Sequence, residues 1–139
     1  MSITQNAELL IKLSTLQTRL SKRLEHQLSI HGISFTEFIV MFHLDDSPND
    51  NMRRIDLAEK VGLTASGVTR LLLPMQKIGL VEKDVNPRDA RVSLVKLTES
   101  GKQIFNDAAD TFNRGAESLT KAFDPKTLAE FVKMTEALL

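Results

Sequence analysis

The 139-residue chain contains no cysteine, no tryptophan and no tyrosine. Without thiols there are no disulfides, no thiolate metal sites and no cysteine-based redox sensing. Missing Trp and Tyr argue against single-strand nucleic-acid binding, which relies on aromatic platforms for base stacking. No apolar run approaches the roughly 20 residues of a membrane span, and the opening MSITQNAE lacks a signal-peptide pattern. The expectation is a soluble, cytoplasmic protein with no membrane partner. No nucleophile–base pattern, Gly-rich phosphate loop or paired-carboxylate motif occurs, so no catalytic residues are expected. His26, His31 and His43 include no i, i+4 pair and no H-E-x-x-H, so neither a metal site nor another cofactor is expected. Charge of one sign is also missing, since 18 Lys and Arg balance 18 Asp and Glu.

What is present is an ordinary globular composition, 42% hydrophobic and 26% charged, long enough for one domain over 1–139 and too short for two. The charge is unevenly spread. Between Arg53 and Lys102 lie ten Lys and Arg against six Asp and Glu, so this span is basic and the remainder equally acidic. A basic module inside acidic scaffolding is the electrostatic footprint of a nucleic-acid reader.

That module spans 51–97. Ile55, Leu57, Ala58 and Val61 share one face of a helix. Gly62 stops it and Thr64 caps the next, in which Val68, Leu71, Leu72, Met75 and Ile78 form the buried stripe. Ala58, Gly62 and Val68 suit two helices crossing steeply through a short turn, the helix-turn-helix arrangement. An ordinary helical hairpin uses the same residues as plain core, so the triplet alone leaves both readings open. Outward at the start of the second helix are Ala65, Ser66, Thr69 and Arg70. Small and hydroxyl side chains there let a helix sit deep in a major groove, with Ser66 and Thr69 donating and Arg70 pairing with guanine or phosphate. Ser and Thr near a helix start also serve capping alone. Pro74 falls inside this helix, where it removes a hydrogen bond and clashes with the Arg70 carbonyl, and a kink or change of direction is expected.

Leu80–Asp84 and Arg91–Leu97 are short β-rich runs around the turn-forming VNPRDA. In the second, Val92 and Leu94 alternate with Ser93 and Val95 as in a half-buried strand. A hairpin that follows a recognition helix and carries Arg88 and Arg91 at its tip is a wing, suited to placing a cation in the minor groove. Asn51 to Arg54 is a candidate third strand pairing with it.

The stretches LTASGVTRLLLPMQKIGLVEK, NPRDAR and LTESG resemble the MarR family of winged-helix transcriptional regulators, and length and flanking helices extend the resemblance over essentially the whole chain. It implies an obligate homodimer on a pseudo-palindromic double-stranded operator, commonly as a repressor relieved by a small aromatic or anionic effector. It carries DNA contact to Thr64, Ala65, Ser66, Thr69 and Arg70, and minor-groove insertion to Arg88 and Arg91. Asp89 is implied to hold an arginine by a charge-assisted hydrogen bond, although an acidic residue after proline is also simply turn-favouring. The family's effector cleft lies between dimer helices and winged module; Arg19, Arg23, Phe38 and Phe42 are the nearest candidates, with plain core and solvated charge as the alternative.

The flanks, 1–32 and 98–139, are the expected dimerisation helices. Residues 6–30 carry Leu9, Leu13, Leu16, Leu20, Leu24 and Leu28 at helical spacing, ending at His31-Gly32. Ser34 and Glu37 form a capping box for a helix whose apolar face is Phe35, Phe38, Ile39 and Phe42. Thr98 caps a long helix running to about Ala122, and Asp124-Pro125 starts the last one. Its Leu128, Phe131, Val132 and Leu138 would be wasted in a monomer and suggest a two-fold interface. The fold class expected is mostly α with a small β-hairpin wing (α+β), a winged helix-turn-helix flanked by dimerisation helices. A winged helix that docks protein instead of DNA is the competing reading, and it would want apolar anchors on the exposed helix face.

Overall fold

The computed structural model describes all residues, Met1–Leu139. Six α-helices and three short strands follow one another: α1 (Gln5–Leu28), α2 (Phe35–Asp45), β1 (Asn51–Arg53), α3 (Arg54–Val61), α4 (Ala65–Lys77), β2 (Val81–Val85), β3 (Ser93–Leu97), α5 (Glu99–Thr120) and α6 (Pro125–Glu136). A 3₁₀ turn over Ser29–His31 extends α1, and Gly32 closes it. The expected elements are all present, most of them shifted by one or two residues.

Side chains start the helices where the sequence suggests. Ser34 and Glu37 complete a reciprocal capping box on α2, and the hydroxyls of Thr64 and Thr98 accept the backbone N–H groups of Gly67 and Gly101. Asp124 accepts Thr127 N–H at 2.7 Å ahead of Pro125, and those bonds lower the Asp124 pKa. Between α3 and α4, Gly62 takes φ 70°, a left-handed conformation that costs glycine nothing.

The three strands form an antiparallel sheet in the order β1-β3-β2. Asn51 pairs with Lys96 and Val81 with Leu97, so the expected third strand exists. The core lies where this sheet meets α2, α3, α4 and α5, around Met41, Leu44, Leu57, Val68, Leu72, Met75, Leu80 and Val95. Phe38 stacks on Phe105 with centroids 5.2 Å apart and tilts against Phe112 at 4.7 Å, locking α2 to α5 through aromatic contact.

Several expected core positions are corrected. Ile55 is 67% exposed and Ile78, at the C-cap of α4, 61%. On β3 the buried residues are Val95 and Leu97, whereas Leu94 is half-buried and Val92 precedes the strand. The face is therefore the opposite one, as a one-residue shift in a period of two requires. On α2 the interior holds Val40, Met41 and Leu44, with Phe42 exposed. Pro74 stands inside α4, which runs on from Ala65 to Lys77. Only the Arg70 carbonyl loses its helical donor, on an exposed face.

One junction joins wing and scaffold. The Thr98 hydroxyl donates to the backbone carbonyls of Gly79 and Leu80 while capping α5. One turn along, Gly101 packs directly on Leu80, and a Cβ there would overlap the Leu80 carbonyl oxygen. Gly115 is the contrasting case, because a Cβ would meet only the movable Gln27 amide, whose oxygen is buried without a hydrogen bond. Gly101→Ala should therefore cost about 3 kcal/mol, at the upper end for overpacking, and Gly115→Ala less than about 1.5 kcal/mol. Urea unfolding of both variants, read as midpoint shifts, checks the order.

Candidate nucleic-acid interface

Helix α4 presents its N-terminal turns away from the core. Val68, Leu72 and Met75 are buried on one side, which at 100° per residue directs Ser66, Arg70, Leu73 and Lys77 outward, with Thr69 beside them. All five are exposed. The expected Ala65, Ser66, Thr69 and Arg70 thus share one open face. Leu73, 50% exposed on the same face, was missed by the sequence reading; its i+4 spacing from Thr69 is the signal that would have found it.

The hydroxyls do not all stand ready for a ligand. Thr64 Oγ1 already accepts Gly67 N–H and lies 3.2 Å from Ser66 Oγ. Thr69 Oγ1 donates to the Ala65 carbonyl at 3.1 Å. Its single O–H is taken up by that carbonyl in the free protein, which leaves the oxygen as an acceptor and turns the methyl outward. Arg70 and Arg88, by contrast, have no carboxylate within ion-pair distance.

The wing tip between Val85 and Ser93 is built from two side chain–backbone turns in succession. Asn86 Oδ1 accepts Arg88 N–H at 2.9 Å, and Asp89 Oδ1 accepts Arg91 N–H at 3.0 Å, the local bonding that makes Asn and Asp turn formers. Asp89 also receives the Arg91 guanidinium, Nε at 3.1 Å and a terminal nitrogen at 3.3 Å. It therefore holds Arg91 as expected, with the arginine side chain 91% exposed. The same hydrogen bonds keep the Asp89 carboxyl below its ordinary pKa. At the wing's base Arg54 Nε donates to Ser93 Oγ at 3.1 Å, tying α3 to β3, and Asn51 donates to Asp84 at 2.8 Å. Sequence reading had no access to these pairs, because 39 and 33 residues separate the partners.

The four candidate effector residues are not brought together. Phe38 and Phe42 line a cavity of 540 Å³ between α2 and α5, with Ile39, His43, Asp45 and Phe112 among its walls. Arg19 and Arg23 line a separate cavity of 780 Å³ formed by α1, the end of α5 and α6. Both arginines sit on α1 beside the end of α5 and α6, whereas the two phenylalanines sit on α2 against the middle of α5.

Two crossed helices, a three-stranded wing with arginines at its tip and long helices on either side define a winged helix-turn-helix protein. The MarR family model matches residues 33–93, from just before α2 to the start of β3. A relative is the HTH-type transcriptional regulator SarZ of Staphylococcus epidermidis, 30% identical over 89 residues, 64% of this chain and 59% of SarZ. The chain spans about three fifths of the length of such curated relatives. Among solved structures, AbsC from Streptomyces coelicolor, a MarR family transcriptional regulator, superposes with a TM-score of 0.86 at 21% identity, covering 99% of this chain and 95% of AbsC. A mutant MarR from E. coli complexed with operator DNA gives 0.83 at 22% identity, over 95% of this chain and 94% of that one. At these identities the structures establish the fold.

Because the Asp89 pKa is depressed, its pairing with Arg91 is fully formed above the ordinary carboxylate range and is lost as pH falls through the lowered value. An NMR titration should show Asp89 titrating below a normal aspartate and moving upward in Arg91→Ala. An Asp89 midpoint indifferent to that substitution would mean the pair does not form in solution.

Proposed function

We propose that this protein is a sequence-specific, double-stranded DNA-binding transcriptional regulator, a homodimeric repressor on a pseudo-palindromic operator. The observation that carries the reading is the joint presentation of the open α4 face and the Asp89-oriented Arg91. One element fits the major groove and the other the minor groove. Ser66 and Arg70 supply polar contacts to base edges and phosphates, and Arg88 and Arg91 enter the minor groove. The operator complex of the E. coli MarR neighbour supports the assignment.

The second copy of the chain covers the flanking helices. Leu9, Leu10, Ile11 and Leu16 on α1, Phe131, Val132 and Met134 on α6, and Leu138 just beyond it are each between 40 and 61% exposed, and α6 buries no residue against its own chain. Apolar surface on this scale marks an association face, and an isologous pairing of α1 and α6 would set two reading heads about 34 Å apart. A small effector fits the α2–α5 cavity. Its lining includes Asp45 and His43, the latter with its pKa lowered by burial and then by Lys60, and no Lys or Arg. That chemistry favours an aromatic neutral or cationic effector over an anion. It would act by binding better to a head spacing that DNA does not accept.

Fluorescence anisotropy against the chain's own upstream duplex, or one selected from random DNA, tests the reading at two salt concentrations. Arg91→Ala should weaken specific binding at least about tenfold with no change in fold; unchanged affinity would remove the wing from the mechanism. Phe131→Glu with Val132→Glu should convert a dimer to monomers in sedimentation equilibrium and abolish operator binding. A double variant that stays dimeric would place the interface elsewhere.

A further inference from the structure

The outward face of α4 has two chemically different sides. Ser66, Arg70 and Lys77 run along one, and Ala65, Thr69 and Leu73, spaced by four residues, run along the other. With the Thr69 hydroxyl bonded back to the Ala65 carbonyl, the second side offers a methyl, a methyl and an isobutyl group. Leu73 is half exposed there and adds nothing to the core. From Ala65 to Leu73 the strip extends about 12 Å along the helix, comparable to three or four base steps at about 3.4 Å each.

One base edge in the major groove is apolar, the C5 methyl of thymine, and alanine or threonine methyls are the side chains that meet it. We infer that Thr69 and Leu73 are specificity-determining residues that select thymine through its methyl group, while Arg70 beside them takes guanine or phosphate. The inference deepens the DNA-binding reading and rests on it. It also gives Leu73 a use that the protein-docking alternative would otherwise claim for it as an apolar anchor.

The two substituents of Thr69 allow a clean separation. Thr69→Val keeps the methyl and drops the hydroxyl; Thr69→Ser does the reverse. A duplex is first selected from random DNA by the wild-type dimer, and each thymine in it is then replaced singly by deoxyuridine, which removes one methyl and nothing else. Wild type should lose about three- to tenfold at one or two positions, the size expected for a buried methyl. Leu73→Ala or Thr69→Ser should lower affinity for the parent duplex and become indifferent to uridine at the matching position, whereas Thr69→Val, which keeps the methyl, should keep the loss on uridine substitution there. If no thymine responds while Arg70→Ala still abolishes preference for the selected duplex, methyl reading is wrong and DNA reading stands. Uridine effects that persist undiminished in both variants would assign the methyls to other residues and overturn the inference. Should selection yield no preferred sequence, with selected and scrambled duplexes bound alike, the DNA reading itself fails and takes the inference with it.

Discussion

The wing meets the scaffold helix α5 at one close approach, that of α5 to the carbonyls of Gly79 and Leu80. Thr98 uses a single hydroxyl to start α5 and to hold the end of the α4–β2 turn, and Gly101 leaves room for the Leu80 carbonyl. Helix α5 therefore begins at a fixed angle to β2 and β3. Its other end carries the scaffold, so the orientation of the wing relative to the flanking helices is set at this joint. Lys102, the next residue, adds a surface clamp, with Nζ 2.9 Å from Asp50 and 3.8 Å from Asp45. Asp50 and Asn49 both have positive φ, an uncommon conformation outside glycine, and the clamp holds that segment just before β1. The motif L-T-E-S-G-K is thus a mechanical unit whose parts act on different neighbours.

The polar signals in the sequence were easier to read than the apolar ones. Ser34, Thr64, Thr98 and Asp124 cap helices because an oxygen must meet orphan N–H groups within three residues, a local requirement written in local sequence. Burial is decided by partners far along the chain. Ile55 and Ile78 match helical spacing yet face water, because each sits at a helix end beyond the reach of the opposing layer. The β3 alternation was legible while its phase was not, since phase depends on where the strand begins. The leucine repeat of α1 gave the helical spacing but not the burial: Leu24 and Leu28 are buried, Leu13 and Leu20 half-buried, and Leu9 and Leu16 exposed. At the candidate DNA site, residue identities and the Asp89–Arg91 pair were visible in NPRDAR. The state of the Thr69 hydroxyl was not, because Ser and Thr choose between backbone and solvent only once the helix exists.

Neutral overall charge is compatible with a DNA reader because the distribution, rather than the sum, sets the local field. The basic excess is concentrated in the span that folds into β1, α3, α4 and the wing. Much of it is already engaged, however. Arg53 is held by Asp56, Arg91 by Asp89 and Lys102 by Asp50. Internal pairs of this kind orient cations more than they stabilise the fold, since exposed pairs contribute little. Arg91 is the case in point: its carboxylate partner directs the guanidinium and leaves it almost wholly accessible.

The consecutive turns at Asn86 and Asp89 bear on the timing of complex formation. Pro87 has one fixed torsion, the Asn86–Arg88 bond spans it, and the Asp89–Arg91 bond fixes the turn that follows. A floppy tip would have to find its groove-fitting shape after first contact, and that search would slow capture and add an ordering cost. A tip that already has its shape can seat on arrival. The wing should then influence how long the protein stays more than how fast it lands, with residence time governed by the guanidinium that Asp89 holds out.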